Sequence, residues 1–272
     1  MTIRRVLVTG LSGLIGGALH RELASKYMLR ALNRRPVAGV DCHLADLGDL
    51  DAIRPAFAGV ECHLADLGDL DALRPAFADI DAVVHLGAAA GANNAPDDIM
   101  GSNVVGTYNV FEAARVAGAK RVIFASSGAT VAGWEKDPPL SHLVAGRYDE
   151  ATSWPRLTHE SPTRPSGLYG ASKIWGEALA RHYADAYGMS MLCIRIGRVL
   201  EGDRPTTVRD FSVWCSQRDV VSMIMRCLTA PASVRFDVFF ANSDNRWSYR
   251  DLDHPRKVLG WTPLDRAEDH WR

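Results

Sequence analysis

The strongest constraint on the fold is an alternation of short apolar segments with longer amphipathic ones along most of the chain. The short segments have the composition of strands and the longer ones have the spacing of helices. Predicted strands are Arg5–Thr9, Met28–Asn33, Asp81–Leu86, Arg121–Ala125 and Met191–Ile196, and predicted helices are Leu14–Ser25, Asn103–Ala117 and Tyr169–Tyr187. Strands separated by helices of this length pair in parallel, and the helices cover both faces of the sheet. The sequence therefore predicts an α/β fold built on a doubly wound parallel sheet.

A block of 20 residues occurs twice in tandem, at 40–59 and at 60–79, and the copies differ only at positions 41/61, 53/73 and 59/79. In each copy the segment CHLADL is strand-like. The segment after it is helix-like, with a proline (Pro55 or Pro75) that weakens the helix. Each copy is therefore one predicted βα unit, and two units are too few for a solenoid.

The bulk composition is that of an ordinary globular protein, with 272 residues, 47% hydrophobic and 23% charged, and a formal net charge of −1. A chain of this length and composition suits one large domain over 1–272 or a domain with a small lobe. The near-neutral charge predicts no nucleic-acid partner. No apolar run approaches the roughly 20 residues of a bilayer span, which predicts no membrane partner.

The N-terminus runs directly into the strand-like VLVTG and shows no signal-peptide core. The chain has 5 cysteines and no CxxC pair. These features predict a cytoplasmic protein with reduced thiols, no disulfide framework and no metal site.

A glycine-rich stretch, VTGLSGLIGG, joins the first predicted strand to the first predicted helix. Gly10 permits a tight turn, Gly13 lets the backbone approach a pyrophosphate, and Gly16 lets helix and strand pack closely. The helix N-terminus then faces the phosphates. This context predicts a Rossmann-type dinucleotide site, and the alternative is a plain tight turn. The predicted contacts of the loop are Gly10, Ser12, Gly13, Leu14, Ile15 and Gly16.

The end of the second strand bears on which dinucleotide fits. An acidic residue there would bind the ribose hydroxyls of NAD. This chain has Asn33, Arg34 and Arg35 instead. Two guanidinium groups can hold a 2′-phosphate by charge-assisted hydrogen bonds, so the sequence favours NADP over NAD. The alternative for this segment is a solvated basic turn.

Tyr169 and Lys173 are spaced four residues apart in the segment YGASK, which places both side chains on one helix face. The ammonium is expected to lower the pKa of the phenol. Such a tyrosine can act as general base for an alcohol or as general acid for a carbonyl. A hydroxyl of Ser126 or Ser127, at the end of a predicted strand, can hold the substrate oxygen. The alternative for the tyrosine and lysine is a helix-surface pair.

These segments together resemble the extended short-chain dehydrogenase/reductase family, also called the NAD-dependent epimerase/dehydratase family. The resemblance runs from about Thr2 to about Val221 and is carried by TGxxGxxG, HLGA, NVVGTYNVFEAAR, FASS and YGASK. It implies catalytic roles for Ser127, Tyr169 and Lys173.

The same resemblance implies further roles. It implies that Asn103 supports the proton relay. HLGA implies cofactor contacts from Leu86, Gly87 and Ala88, beside those of Tyr169 and Lys173. The helices Asn103–Ala117 and Tyr169–Tyr187 match those that form the family's dimer interface, which implies a homodimer.

Within this family the chain is most similar to the uronate dehydrogenase branch, through LYGASKIWGEALAR, RIGR, VRDFSVWCSQRDVV and VLGW-P. This similarity implies hydride transfer between a nicotinamide cofactor and a sugar-like, acidic small molecule, with Arg209 at the carboxylate-binding position. The chain departs from the branch at Gly128-Ala129, where the branch has Asn-His, and at Arg198, where the branch has serine. The predicted substrate-binding residues are Ser127, Gly128, Arg198 and Arg209, although both arginines also fit a structural role.

Two other functions remain open at this point. One is a sugar or sugar-nucleotide epimerase. The other is a non-catalytic NADP-binding sensor or scaffold, a type that usually lacks the tyrosine or lysine retained here. The small lobe at 197–272 and the long loop at 134–165 are where a substrate would be selected, and for the loop an ordinary surface role is the alternative.

The duplication offers two candidates for one cofactor contact. The resemblance implies an aspartate and a following apolar residue against the adenine, and both Asp46-Leu47 and Asp66-Leu67 fit. The second copy connects directly to the next predicted strand, so Asp66 and Leu67 are the predicted contacts. The first copy would then add an edge strand or loop out. The rival assignment gives the inner position to the first copy, and a duplication without function is also consistent with the sequence.

Overall fold

The computed structural model describes residues 2–33, 41–43, 61–90 and 94–271 of the chain. The strands are β1 (Arg5–Thr9), β2 (Met28–Asn33), β3 (Asp41–His43), β4 (Glu61–Leu64), β5 (Ala82–His85), β6 (Arg121–Ser127), β7 (Ser190–Ile196) and β8 (Phe236–Ala241). They form one parallel sheet with the order β3-β4-β2-β1-β5-β6-β7-β8.

Helices cover both faces of this sheet. They are α1 (Leu14–Leu23), α2 (Leu70–Leu73), α3 (Pro96–Ile99), α4 (Gly106–Val116), α5 (Leu140–Val144), α6 (Leu168–Tyr187), α7 (Asp210–Val213), α8 (Gln217–Thr229) and α9 (Asp253–Leu259). One apolar core lies between the sheet and α1 and α8, and a second lies between the opposite face and α2, α4 and α6. The predicted fold class, a doubly wound Rossmann-type sheet, is confirmed.

The tandem repeat supplies the two outermost strands at one edge of the sheet. β4, from the second copy, pairs with β2, and β3, from the first copy, pairs with the outer side of β4. The prediction that the second copy takes the inner position is confirmed, and the rival assignment is wrong. The rest of the first copy lies outside the described residues. In the second copy α2 ends before Pro75, and a 3-10 turn, Arg74–Phe77, follows.

The C-terminal part of the chain adds elements that the sequence patterns did not predict, namely α8, β8 and α9. The segment 134–165, predicted as a loop, contains α5 and short 3-10 turns. Leu140, Leu143 and Leu157 of this segment pack against Val213 and Tyr249 in a third apolar cluster. The segment therefore packs against the C-terminal region. The division of residues 197–272 from the rest as a separate small lobe stays a prediction.

No helix in the described ranges is long and apolar enough to cross a membrane.

Candidate active site

The glycine-rich loop lies between β1 and α1, at the carboxyl end of the sheet. Gly10 has a φ of 74°, a conformation that L side chains rarely adopt. A Cβ on Gly16 would lie 2.5 Å from the carbonyl oxygens of Gly10 and Leu11, so only glycine fits there. Gly13 caps α1, and the first turn of α1 carries no acidic side chain. This helix N-terminus can therefore receive an anion.

Asn33 ties the end of β2 to the same loop. Its side chain is buried, and its Oδ1 accepts a hydrogen bond from the backbone N–H of Ser12 at 3.2 Å. Leu14 is exposed and Ile15 is partly buried at the start of α1. Arg34 and Arg35, the residues that favour NADP, lie outside the described residues.

The segments after β4 and β5 meet beside the glycine loop. A Cβ on Gly87 would lie 3.0 Å from Cδ1 of Leu67, and Oγ1 of Thr9 accepts a hydrogen bond from the N–H of Gly87 at 3.0 Å. Leu67 is buried, whereas Asp66 is exposed and its Oδ1 accepts from the N–H of Gly68 at 2.7 Å. Leu86 and Ala88, on either side of Gly87, are partly buried.

Strand alternation separates the two serines at the end of β6. Ser126 donates to Oε1 of Glu177 at 2.5 Å, and Glu177 forms a buried bidentate ion pair with Arg195. Ser127 lies on the other side of the strand, where its Oγ accepts from the N–H of Ala129 at 3.1 Å and is near enough to the hydroxyl of Tyr169 to lower the pKa of that phenol. The geometry therefore brings Ser127, and not Ser126, to the tyrosine.

Tyr169 and Lys173 lie on α6 with their side chains turned toward β6. Nζ of Lys173 lies 5.6 Å from the ring centre of Tyr169 and 4.8 Å from that of Phe124. The Lys173 side chain is 2% exposed, and burial lowers its pKa to about 7. Lys173 is thus a buried base that titrates near neutral pH.

The expectation that Lys173 lowers the pKa of Tyr169 is wrong in this structure. Burial raises the pKa of Tyr169, and the nearby hydroxyl of Ser127 offsets only part of that rise. The reason is desolvation, because the phenolate would lie away from water and Lys173, whose pKa is lowered to about 7, is already neutral at the pH where the phenol ionises.

Asn103 lies in a π-helical turn, Met100–Val105, that leads into α4. Its Oδ1 accepts from the N–H of Ala89 at 2.8 Å, and its Nδ2 donates to Ala89 O and Ser172 Oγ, both at 3.2 Å. Asn103 therefore joins the segment after β5 to α6, one residue away from Lys173. Single π-helical turns of this kind often occur at functional sites.

Both arginines predicted to bind substrate have acidic partners. Arg198 donates to Asp210 at 2.9 Å. Arg209 forms a bidentate ion pair with Glu135 at 2.6 and 2.7 Å. Contact between either guanidinium and a substrate therefore has to compete with a carboxylate already in place.

Sequence reasoning missed two buried residues near the site. His85 bridges Thr9 and Thr107 by hydrogen bonds, and burial, with a smaller effect from Lys173, lowers its pKa to about 3, so the ring is neutral. Arg250 lies against Gly128, where a Cβ would overlap the guanidinium group. The sequence signal available for Arg250 was the departure from Asn-His at Gly128-Ala129, because the missing side chain at Gly128 leaves space for another group.

The described residues include one three-residue cluster with metal-ligand chemistry, His159, Asp237 and His254. The two imidazole rings are stacked, with centres 3.6 Å apart and planes 14° apart. A single ion cannot lie in the plane of both rings at once, where their lone pairs point. The arrangement therefore favours ring stacking over shared ligation.

A protein-family model described as the NAD dependent epimerase/dehydratase family matches residues 6–211. The chain belongs to the NAD-dependent epimerase/dehydratase family. The family predicted from the glycine loop, FASS and YGASK is thereby confirmed, and the match covers the glycine loop, β6 and α6.

Similar members of the family include several sugar dehydrogenases. A uronate dehydrogenase of Agrobacterium fabrum is 35% identical over 271 residues, which cover 98% of this chain and 86% of that protein. An NAD-dependent glucose-6-phosphate dehydrogenase of Haloferax volcanii is 29% identical and covers 97% of this chain and 94% of that protein. A crystal structure of uronate dehydrogenase from Agrobacterium tumefaciens has a TM-score of 0.79 at 34% identity, covering 99% of this chain and 87% of the other.

Proposed function

We propose that this protein is an NAD(P)-dependent dehydrogenase that transfers hydride between the nicotinamide and a sugar-like, acidic alcohol or its carbonyl product. One observation carries the proposal. The hydroxyls of Ser127 and Tyr169 and the buried amine of Lys173 meet at the same end of the sheet as the glycine loop. Dehydrogenases of uronate and of glucose 6-phosphate among the similar proteins support it.

The glycine loop fits a dinucleotide. Gly10 and Gly16 leave no room for side chains, and the open N-terminus of α1 favours phosphate. Ser12, Gly13, Leu14 and Ile15 are proposed to contact the pyrophosphate, and Asn33 to contact the ribose. On the other side of the site Leu86, Gly87 and Ala88 line the cofactor. The guanidinium groups of Arg34 and Arg35 favour NADP, although the Haloferax relative is described as NAD-dependent.

The chain's own residues then handle the proton. The residues of the glycine loop would hold the dinucleotide, whose nicotinamide would supply the acceptor for the hydride from the C–H bond of the substrate carbon. Tyr169 takes the proton of the substrate hydroxyl as that C–H bond breaks, and Ser127 hydrogen-bonds the same oxygen. Nζ of Lys173 lies 5.6 Å from the ring centre of Tyr169, and Lys173 is proposed to contact the bound cofactor. Asn103 positions α6 through Ser172 and Ala89.

The substrate is proposed to lie between Ser127, Gly128 and the C-terminal segment that carries Arg198 and Arg209. Both arginines are proposed contacts for an anionic group of the sugar. Their ion pairs with Asp210 and Glu135 would have to open for direct contact.

The test is an assay of the purified protein with NAD and with NADP against hexuronates, neutral aldoses and sugar phosphates. Nicotinamide reduction with one class, and faster turnover with NADP than with NAD, is the expected result. Interconversion of sugar epimers without net nicotinamide reduction would establish an epimerase instead. Dinucleotide binding with no turnover on any sugar would point to a sensor or scaffold.

Asp66 offers a matched test of the duplicated unit. We expect Asp66→Ala to weaken dinucleotide binding about tenfold, because a hydrogen bond that the adenosine portion donates to a carboxylate contributes about 1.5 kcal/mol. Its counterpart in the first copy, Asp46→Ala, is expected to leave the Kd unchanged. Fluorescence titration with NADP measures both. An effect of Asp46→Ala alone would contradict the assignment.

A homodimer and a cytoplasmic location are further proposals. Large apolar side chains on and beside α4 and α6 are about half exposed, namely Val105 (46%), Tyr108 (45%), Val116 (57%) and Tyr187 (50%). An exposed apolar surface of this kind supports self-association. Multi-angle light scattering is expected to give twice the 29.7 kDa chain mass, and Tyr108→Glu is expected to shift the protein to monomer. A monomeric wild type would contradict the proposal.

A further inference from the structure

Arg250 is a buried cation without a buried anion. Its side chain is 2% exposed, and no described carboxylate forms an ion pair with it. Nη1 donates to Oδ1 of Asn242 at 3.1 Å, Nη2 reaches the hydroxyl of Tyr249 only at 3.5 Å, and Nε has no hydrogen-bond partner. A guanidinium has five N–H donors, so most of its capacity is unused.

The other buried arginines of the described chain, Arg121 and Arg195, are better paired than Arg250, although Nη1 of Arg195 has no hydrogen-bond partner. Arg121, which is fully buried, donates to Ser190 and to four backbone carbonyls. Arg195 has the bidentate partner Glu177. Burying a charge without such partners opposes folding strongly. The missing partners of Arg250 therefore require an explanation other than a contribution to the stability of the fold.

Arg250 lies beside the proposed substrate site. Its guanidinium group packs directly on Gly128, the residue after Ser127, and a Cβ at that position would overlap Nη1, Nη2 and Cζ. The guanidinium thus reaches the backbone beside the proposed reaction oxygen. Gly128 is the residue that makes this approach sterically possible.

The neighbouring acid does not neutralise Arg250. Glu135 accepts both bonds from Arg209 and a further hydrogen bond from the hydroxyl of Tyr249. Its negative charge is matched by Arg209, so the positive charge left over in this part of the site belongs to Arg250.

We propose that Arg250 binds the anionic group of the substrate, a carboxylate or a phosphate, and that Gly128 makes room for it. This inference rests on the proposed dehydrogenase function, which supplies the type of reaction. The binding of the anion to Arg250 does not depend on that function. A planar guanidinium fork matches both anions in two hydrogen bonds. Arg250, rather than the already paired Arg209, is then the residue that selects an acidic sugar over a neutral one.

The kinetic test compares kcat/KM for glucuronate, glucose 6-phosphate and glucose in three variants. Arg250→Met is expected to lose about 100-fold on the preferred anionic sugar and to change less than about threefold on glucose. Arg250→Lys is expected to recover part of that loss. Arg246→Met removes an exposed positive charge from the same segment and is expected to match the wild type. Equal losses on charged and neutral sugars would overturn the proposal.

A second measurement does not need turnover. Glucuronate or glucose 6-phosphate is expected to raise the Tm of the wild type and not that of Arg250→Met, and the difference between the two anions identifies the group recognised. Arg250→Met is also expected to have a Tm, without ligand, equal to or above that of the wild type, which a merely structural arginine would not show. If neither anion binds the wild type, the proposal fails. If an anion binds but no sugar is oxidised, the dehydrogenase function fails and the anion site stands.

A third variant acts from the opposite side of the contact. Gly128→Ala places a methyl group where the guanidinium lies and is expected to reduce the preference for the anionic sugar without removing any charge. A Gly128→Ala protein that keeps both its Tm and the full wild-type preference would contradict the role given to Gly128.

Discussion

Replacing Tyr169 with phenylalanine is expected to lower kcat by about 10³-fold while leaving the Kd for NADP within about twofold. Only the hydroxyl is lost, and the structure places that hydroxyl beside Ser127, where it would take the substrate proton. General acid–base catalysis typically contributes 10²- to 10⁴-fold, which sets the expected range. Stopped-flow measurement of nicotinamide reduction, with a fluorescence titration of the cofactor, checks both halves of the expectation.

Tyr183→Phe is the matched control for this change. Tyr183 lies on the same helix, but its hydroxyl donates to Glu112, away from Ser127. We expect its kcat to equal that of the wild type. If Tyr169→Phe kept more than about a tenth of the wild-type kcat, proton transfer by Tyr169 would be excluded and a solvent route would have to replace it.

Lys173→Met is expected to abolish most activity and, at the same time, to stabilise the protein. Burial lowers the pKa of Lys173 from 10.5 to about 7. Between pH 7 and pH 10.5 the unfolded chain binds a proton at Lys173 that the folded chain does not, so the free energy of unfolding of the wild type rises with pH across this window. Below pH 7 the folded chain carries the buried ammonium, and the full free-energy penalty of burying that charge is present. Methionine carries no such penalty, and a stabilised but inactive variant is a known signature of a functional site.

The size of the gain should therefore depend on pH. We expect Lys173→Met to be about 2–4 kcal/mol more stable than the wild type at pH 7, with the gain falling by on the order of 1 kcal/mol per pH unit toward pH 10. Urea denaturation at pH 7 and pH 9.5 measures this. The exposed Lys120→Met serves as control and should show no pH-dependent gain. A Lys173→Met protein that is less stable at both pH values would refute the interpretation.

The sequence predicted the parts of the fold that depend on local pattern. β1 and β2 match their predicted bounds because each is a short, mostly apolar segment that ends at the glycine loop or at Asn33. The position of the second repeat copy followed from its direct connection to β5. The family and the glycine loop were predictable from motif spacing, because side chains do not fit sterically at Gly10 and Gly16.

The remaining features depend on contacts between distant parts of the chain. The rise in the pKa of Tyr169 comes from burial by packing, which the spacing of Tyr169 and Lys173 does not reveal. The ion pair of Arg209 joins it to Glu135 in the long loop. The proposed role of Arg250 depends on the contact between its guanidinium group and Gly128. Residues far apart in sequence give no local pattern that would have predicted these contacts.

The additional strand β3 changes which strand lies at the edge of the sheet, where local opening costs least free energy. An edge strand has one side without hydrogen-bonded neighbours, so it opens locally at lower free energy than an interior strand. Because β3 pairs with the outer side of β4, the strand that leads to Asp66 and Leu67 is held by neighbours on both sides. In amide hydrogen exchange, local opening is therefore expected to begin at β3, a strand with no proposed contact to cofactor or substrate, before it reaches β4.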